Sequence, residues 1–146
     1  MESKPHFSPQ VSDFAERVQS SFAKQTVMAF MGAELATVMP GAVEIHLPFR
    51  QDLTQQHGLL HAGIVTTIAD SACGYAALSL MPAGASVLTV EFKVNLLSPA
   101  KGGMFVARGT VVKPGRTITV CSGVVYALGP DESKWIATND SNHDDD

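Results

Sequence analysis

The chain is expected to fold as an α+β domain in which one long helix is enclosed by an antiparallel sheet. Three observations predict this. A stretch from Leu59 to Met81 is apolar or small on nearly every side, and such a helix must be buried on every side. Val87 to Leu97 alternates strictly, with Leu88, Val90, Phe92, Val94 and Leu96 on one face and Thr89, Glu91, Lys93 and Asn95 on the other. Further long apolar segments then follow one another with turn signals between them, which suits antiparallel succession.

Each element has its own signal. From Ser8 to Lys24, Val11, Phe14, Ala15, Val18 and Phe22 recur every three or four residues, giving an amphipathic helix over 8–24 with Pro9 in its first turn. A short helical piece follows over Thr26 to Met31, with Met28 and Met31 as core filler. Ala33 to Val38 and Val43 to Pro48 read as strands joined at Pro40-Gly41, a turn pair. Gln51 to Gly58 is polar and unpatterned, hence a loop. The Leu59 to Met81 helix stops before Pro82 and Gly84. After the Val87 to Leu97 strand come Met104 to Lys113 and Arg116 to Leu128, joined by Lys113-Pro114-Gly115-Arg116, whose Pro-Gly centre suits a type II turn. Lys134 to Thr138 is the last strand, so one domain spans 1–138.

Composition narrows the function. The chain has 146 residues, 45% hydrophobic and 16% charged, with a formal charge of -4. That balance belongs to a folded domain and not to a disordered chain. The tail 139–146 carries Asp140, Asp144, Asp145 and Asp146 and no cation, so the body is neutral and the tail reads as a disordered, solubilising end. A neutral body argues against nucleic acid, which needs a clustered basic surface. No apolar run reaches the roughly 20 residues of a membrane span, and Met1 to Gln10 lacks the apolar core of a signal peptide. Cys73 and Cys121 sit in apolar or small-residue segments without a second ligand at metal spacing, which indicates a reducing, cytoplasmic setting. Phosphate-loop, dinucleotide, zinc-protease and serine-hydrolase signatures are all missing, so neither a metal nor a cofactor is expected.

The residue that points to chemistry is Asp70, the one charge in the long apolar helix. A carboxylate in that setting must be hydrogen-bonded, face a wet cleft or have a raised pKa. A purely structural carboxylate satisfied by a nearby Thr or Ser is the competing account. The second feature is the junction His57-Gly58-Leu59-Leu60-His61-Ala62-Gly63, where amides without intrahelical partners could hold an oxyanion and small residues admit a carbonyl. Helix capping is the plainer role for His61. Nine residues separate His61 from Asp70, about 13 Å of rise and about 180° of rotation on a regular helix. One chain cannot bring them together, so a site using both requires a two-fold dimer. Gln55 in the polar loop and Thr89 on the strand are further candidates for holding water or substrate. Glu91 and Lys93 read as cross-strand or interface charges.

The run His57 to Gly63 leading to Ile68-Ala69-Asp70, then Thr89-Val90-Glu91-Phe92 and Leu97-Ser98-Pro99-Ala100-Lys101-Gly102-Gly103, resembles the hot-dog-fold acyl-CoA thioesterases of the phenylacetate-degradation (PaaI-type) subfamily. The likeness spans about residues 25 to 138. It implies a central helix wrapped by a curved sheet, and a homodimer joined edge to edge, often doubled to a homotetramer. It implies acyl-CoA as substrate, with Asp70 as nucleophile or general base and His61 orienting the thioester. The backbone N–H at Ala62 would polarise the carbonyl beside Gly63, while Gln55 and Thr89 position water or the acid. The sequence departs from the usual His-Gly-Gly in having His61-Ala62-Gly63, a change that keeps the amide donor. Aryl or medium-chain acyl groups would meet Phe92, Phe105, Met81 or Tyr75, residues that also suit ordinary core. The coenzyme A phosphates would draw on Lys101, Arg108, Lys113 or Arg116. The competing readings are a non-catalytic acyl-CoA binder, a hot-dog dehydratase and a structural interaction protein.

Overall fold

The computed structural model describes residues 6–129 and 133–138, so the acidic tail lies outside the described residues. In chain order the elements are α1 (Phe14–Lys24), α2 (Thr26–Met31), β1 (Glu34–Met39), β2 (Ala42–Pro48), a 3-10 turn at Gln51–Leu53, α3 (Ala62–Leu78), β3 (Asn95–Leu96), β4 (Met104–Lys113), β5 (Val120–Leu128) and β6 (Ser133–Thr138). The strands form one antiparallel sheet in the order β1-β2-β4-β5-β6-β3.

Helix α3 packs across one face of this sheet, against β2, β4 and β5. Alternate residues of the central strands point at it: Val43, Ile45 and Leu47 of β2, Phe105, Ala107 and Val111 of β4, and Val125 and Ala127 of β5 are all buried. They close over Val65, Ile68, Ala72 and Ala76 of α3 in one cluster. The closest approach falls at Gly109 of β4, where any Cβ would overlap the backbone of Ala72 and Cys73. Only glycine lets helix backbone rest on sheet backbone in this way.

The N-terminal helices pack on the other flank of α3. Val18 is fully buried, and Phe22 meets Tyr75 with ring centroids 6.0 Å apart. Arg17 donates to the carbonyls of Met81 and Ala85, and Gln10 to that of Leu80, which ties this segment to the end of α3. Helix α2 ends at Gly32, whose positive φ of 79° closes the turn before β1. The β1–β2 hairpin turns at Pro40-Gly41 with Gly41 at the same φ.

Several expectations along the chain are corrected. Residues 8–13 precede α1 in bends and turns, so Pro9 lies ahead of the helix it was expected to open. Helix α3 begins at Ala62 and not at Leu59, because Leu60 is used in extended conformation: it bridges Thr54, and its amide donates to Ala100. Nor is α3 buried all round. Thr66, Ala69, Asp70, Cys73 and Gly74 are only half-buried and form an open stripe along it. The Lys113 to Arg116 linker does not make a type II turn, since Gly115 lacks the positive φ that turn requires, and β5 starts four residues later than Arg116.

The largest departure is Val87 to Leu97. Only Asn95 and Leu96 pair in the sheet, with Thr138 and Ala137 of β6. Residues 87–94 run past the last described residue of β6, so no described strand lies beside them. The face expected in the core is therefore outside: Leu88 is 89% exposed, Val90 81% and Phe92 55%.

Candidate functional site

Asp70 lies on the open stripe of α3, halfway along the helix, and the Thr89 hydroxyl donates to its Oδ1 at 2.7 Å. The two residues are held by different elements, α3 and the unpaired 87–94 segment, so the helix and the exposed edge meet at this bond. Two cavities open on either side of it. One, of about 610 Å³, lies between α1, α3 and residues 85–89. The other, of about 500 Å³, lies between α3, residues 86–94 and the entry to β5. Asp70 and Thr89 line both, which places the carboxylate where the two spaces join.

The remaining expected site residues sit at the start of α3 and border neither cavity. His61 is the N-cap of α3, its Nδ1 accepting from the Gly63 amide at 2.8 Å. A neutral ring that accepts at Nδ1 carries its proton on Nε2, so the exposed edge of His61 presents an N–H. The cap consumes the Gly63 amide, one of those expected to face substrate. Ile64 and Val65 donate to the His61 carbonyl. Among the described residues the Ala62 amide has no partner, leaving it as the donor of this turn open to a ligand. Gln55 is folded onto its own loop, its Oε1 accepting from the amides of His57 (2.5 Å) and Leu59 (3.3 Å). That loop carries the chain into α3, so Gln55 shapes the approach to His61. One chain thus carries two half-sites at separate places, Asp70 with Thr89 and Ala62 with His61 and Gln55.

A polar network escaped the sequence reading. Gln25, between α1 and α2, accepts from Ser71 at Oε1 (2.8 Å) and donates from Nε2 to the Tyr75 hydroxyl (3.0 Å), which lies 3.3 Å from Ser21 Oγ. These residues wall the larger cavity beside Asp70. Nothing in the periodicity marks Gln25, since its partners are far away in sequence.

Other groups are committed elsewhere. Arg108 holds Glu44 with bonds of 2.7 and 3.1 Å, and His46 approaches its other oxygen at 3.2 Å. Partial burial pushes Glu44 up, but the bonds and charges of Arg108 and His46 outweigh it and hold the carboxyl below its usual range. Arg108 is therefore spent within the sheet. Phe105 is ordinary core, as are Met28 and Met31. Burial raises the Cys121 thiol to about 11, which keeps it protonated and unreactive at neutral pH. Among the described residues no three His, Cys, Asp or Glu side chains are grouped to hold a metal, and no helix is long and apolar enough to cross a membrane.

A family model described as "Thioesterase superfamily" matches residues 57–134, a stretch that contains Asp70, Thr89, His61 and Ala62 and begins just after Gln55. The chain belongs to the thioesterase superfamily. Its enclosed helix and six-stranded sheet are the hot-dog fold of that superfamily. Among its relatives, a provisionally named esterase of Halobacterium salinarum is 31% identical over 113 residues, covering 74% of each chain. The crystal structure of a thioesterase family protein from Silicibacter pomeroyi superposes with a TM-score of 0.84 at 58% identity, covering 86% of this thioesterase-superfamily chain and 92% of that one. The E. coli PaaI protein of the phenylacetic acid degradation operon shares the fold, with a TM-score of 0.76 at 16% identity over 86% and 88% of the two chains.

Proposed function

We propose that this protein is an acyl-CoA thioesterase of the PaaI type, acting as a dimer or pair of dimers whose sites are shared between copies. The observation that carries this reading is the Asp70 carboxylate, fixed by Thr89 at the meeting of two cavities while the open Ala62 amide lies elsewhere on the same chain. Two copies related by a two-fold axis supply the missing half of each other's site, twice over. The exposed apolar row Leu88, Val90 and Phe92, with no strand beside it among the described residues, would give such a pair its seam.

In this arrangement the thioester carbonyl accepts a hydrogen bond from Ala62 N–H of one copy, with His61 Nε2–H and Gln55 at the approach. Asp70 of the other copy takes a proton from water, whose oxygen attacks the carbonyl carbon. The oxyanion forms on the Ala62 amide, which was already in place, and its collapse expels the thiolate. The proton held by Asp70 returns to the leaving sulfur. A direct attack by Asp70 would instead pass through an anhydride that water then opens, and a single turnover in heavy-oxygen water separates the routes by labelling the enzyme carboxylate.

Asp70→Asn preserves shape and the Thr89 bond while removing the base. Thiol release from a panel of aryl, short and medium acyl-CoAs should fall about 100-fold or more in this variant. A folded Asp70→Asn protein of native activity would sink the assignment. Saturable acyl-CoA binding without thiol release from any substrate would favour the non-catalytic binder.

A further inference from the structure

Strand β3 ends the sheet, and among the described residues no strand lies along its outer edge or beside residues 87–94 that lead into it. The Leu97 amide donates to the Ile136 carbonyl, across the edge that β3 shares with β6. In the continued strand, odd-numbered residues therefore turn their backbone groups toward β6 and even-numbered ones toward the open edge. Such a row of amides and carbonyls is a template for another strand. The side chains narrow the choice. Glu91 and Lys93 are exposed, opposite in sign and two residues apart, and among the described residues neither has an ion-pair partner. When two identical strands pair antiparallel, a two-fold axis at one residue sets the residues flanking it opposite each other. An axis at Glu91 or at Lys93 puts like charges face to face, and one at Val90 or Val94 leaves both charges without an opposite partner across the seam. An axis at Phe92 sets Glu91 opposite Lys93 of the partner subunit, twice. It is also the midpoint of the alternating stretch Val87 to Leu97, so that stretch is covered end to end. Leu88, 89% exposed, then meets Leu96 of the partner subunit, a position 56% exposed in one chain. With even-numbered backbone groups at the seam, the charges form a pair without backbone hydrogen bonds, the closer kind, with Cα atoms about 4.5 Å apart.

We propose that a second copy of this chain pairs its Val87 to Leu97 stretch with the first about an axis at Phe92, and that this register brings Asn95 of the partner subunit to Asp70. The inference rests on the reading that each site is shared between copies, and adds which residues meet. Thr89, whose hydroxyl donates to Asp70, lies opposite Asn95 of the partner subunit, on the same face and with Cβ atoms about 5 Å apart. The carboxamide N–H of the partner's Asn95 is there a donor to the carboxylate. Asn95 is thus a positioning residue for the Asp70 of the other copy.

Sedimentation of the full chain tests the charges. Glu91→Lys and Lys93→Glu each set like charges across the seam twice, so each alone should raise the dissociation constant about tenfold or more. Mixed in equal amounts, the two variants should pair with each other, since every contact between them is again of opposite sign. Single variants that associate like the native protein would overturn the register, and so would a mixture that stays apart. Cross-linking tests the axis. On oxidation with diamide Phe92→Cys should form a covalent dimer and Val90→Cys should not, because two copies of residue 90 stand four strand positions, about 13 Å, apart. A dimer linked through Val90→Cys, or none through Phe92→Cys, would overturn the proposal. Neither measurement involves turnover, so both decide the register whatever becomes of the thioesterase. For Asn95 the readout is thiol release from the acyl-CoA panel. Asn95→Ala should lower kcat about tenfold, the loss of one hydrogen bond to a charged group, with association unchanged. Mixed with the inactive Asp70→Asn, it should give several times the summed activity of the two alone, because the mixed pair holds one site with both residues intact. No gain on mixing would defeat the placement of Asn95, as would native proteins that turn over no thioester.

Discussion

Strand β4 and the Val87 to Leu97 segment carry the same pattern in sequence and meet opposite fates. In β4 the alternating Phe105, Ala107 and Val111 are buried beneath α3, and the strand has neighbours on both edges. In the other segment Leu88, Val90 and Phe92 alternate as regularly and lie open, with no described strand beside them, since the described part of β6 pairs only with Asn95 and Leu96. Alternation states that a face is to be covered. It does not state which chain covers it.

Deepening the contrast on the covered side gives the largest effect. Phe105 is fully buried, and Phe105→Ala should cost about 3–5 kcal/mol, seen as a lower denaturation midpoint in urea with activity lost alongside the fold. A cost under about 1 kcal/mol would mean that the enclosed face repacks freely.

The outward side of the same central strands tests a weaker bond. Glu44, held low by Arg108 and His46, contributes stability that is present above the carboxylate's model value of 4.5 and is lost as pH falls through the lower folded value. Arg108→Ala should therefore cost under about 1 kcal/mol at neutral pH, the range of a partly exposed pair. The gap to the native protein should close as the medium is acidified below that value. A gap that stays constant down to pH 3 would assign the cost to packing.

Phe92→Ala is the smallest change to the fold of one chain, within about 0.5 kcal/mol for an exposed side chain. Its effect should appear in assembly: sedimentation at falling concentration should show copies separating where the native protein stays paired. Unchanged association would remove the exposed row from the proposed seam and with it the shared site.

Sequence reading was sharpest where one chain settles its own burial. The boundaries of α2 and β4 follow from their apolar spacing alone, since each buries its face within the chain. It blurred at the start of α3, because Leu59 and Leu60 are as apolar as the helix that follows and an extended buried residue cannot be told from a helical one by hydropathy. At the site, Asp70 stood out as a lone charge and Thr89 as a polar strand position. Their hydrogen bond joins residues that no period connects. His61 showed its capping role only once the Gly63 amide was placed against its ring. Gln25 left no mark and Tyr75 stood out only as an apolar candidate for an acyl pocket, since their bond across such a sequence distance is a product of topology and not of local pattern.

The bare contact at Gly109 also sets how the site answers to heat. Helix α3 stands on the sheet there through backbone atoms, with no rotamer layer between them, and Asp70 is two residues from Ala72 at that point. Side chains soften by changing rotamer, whereas two backbones in contact have only their own stiff geometry to yield. The height of the carboxylate above the sheet is thus gauged by the least compliant part of the molecule. Warming should loosen the walls of the two cavities before it moves the group that stands between them.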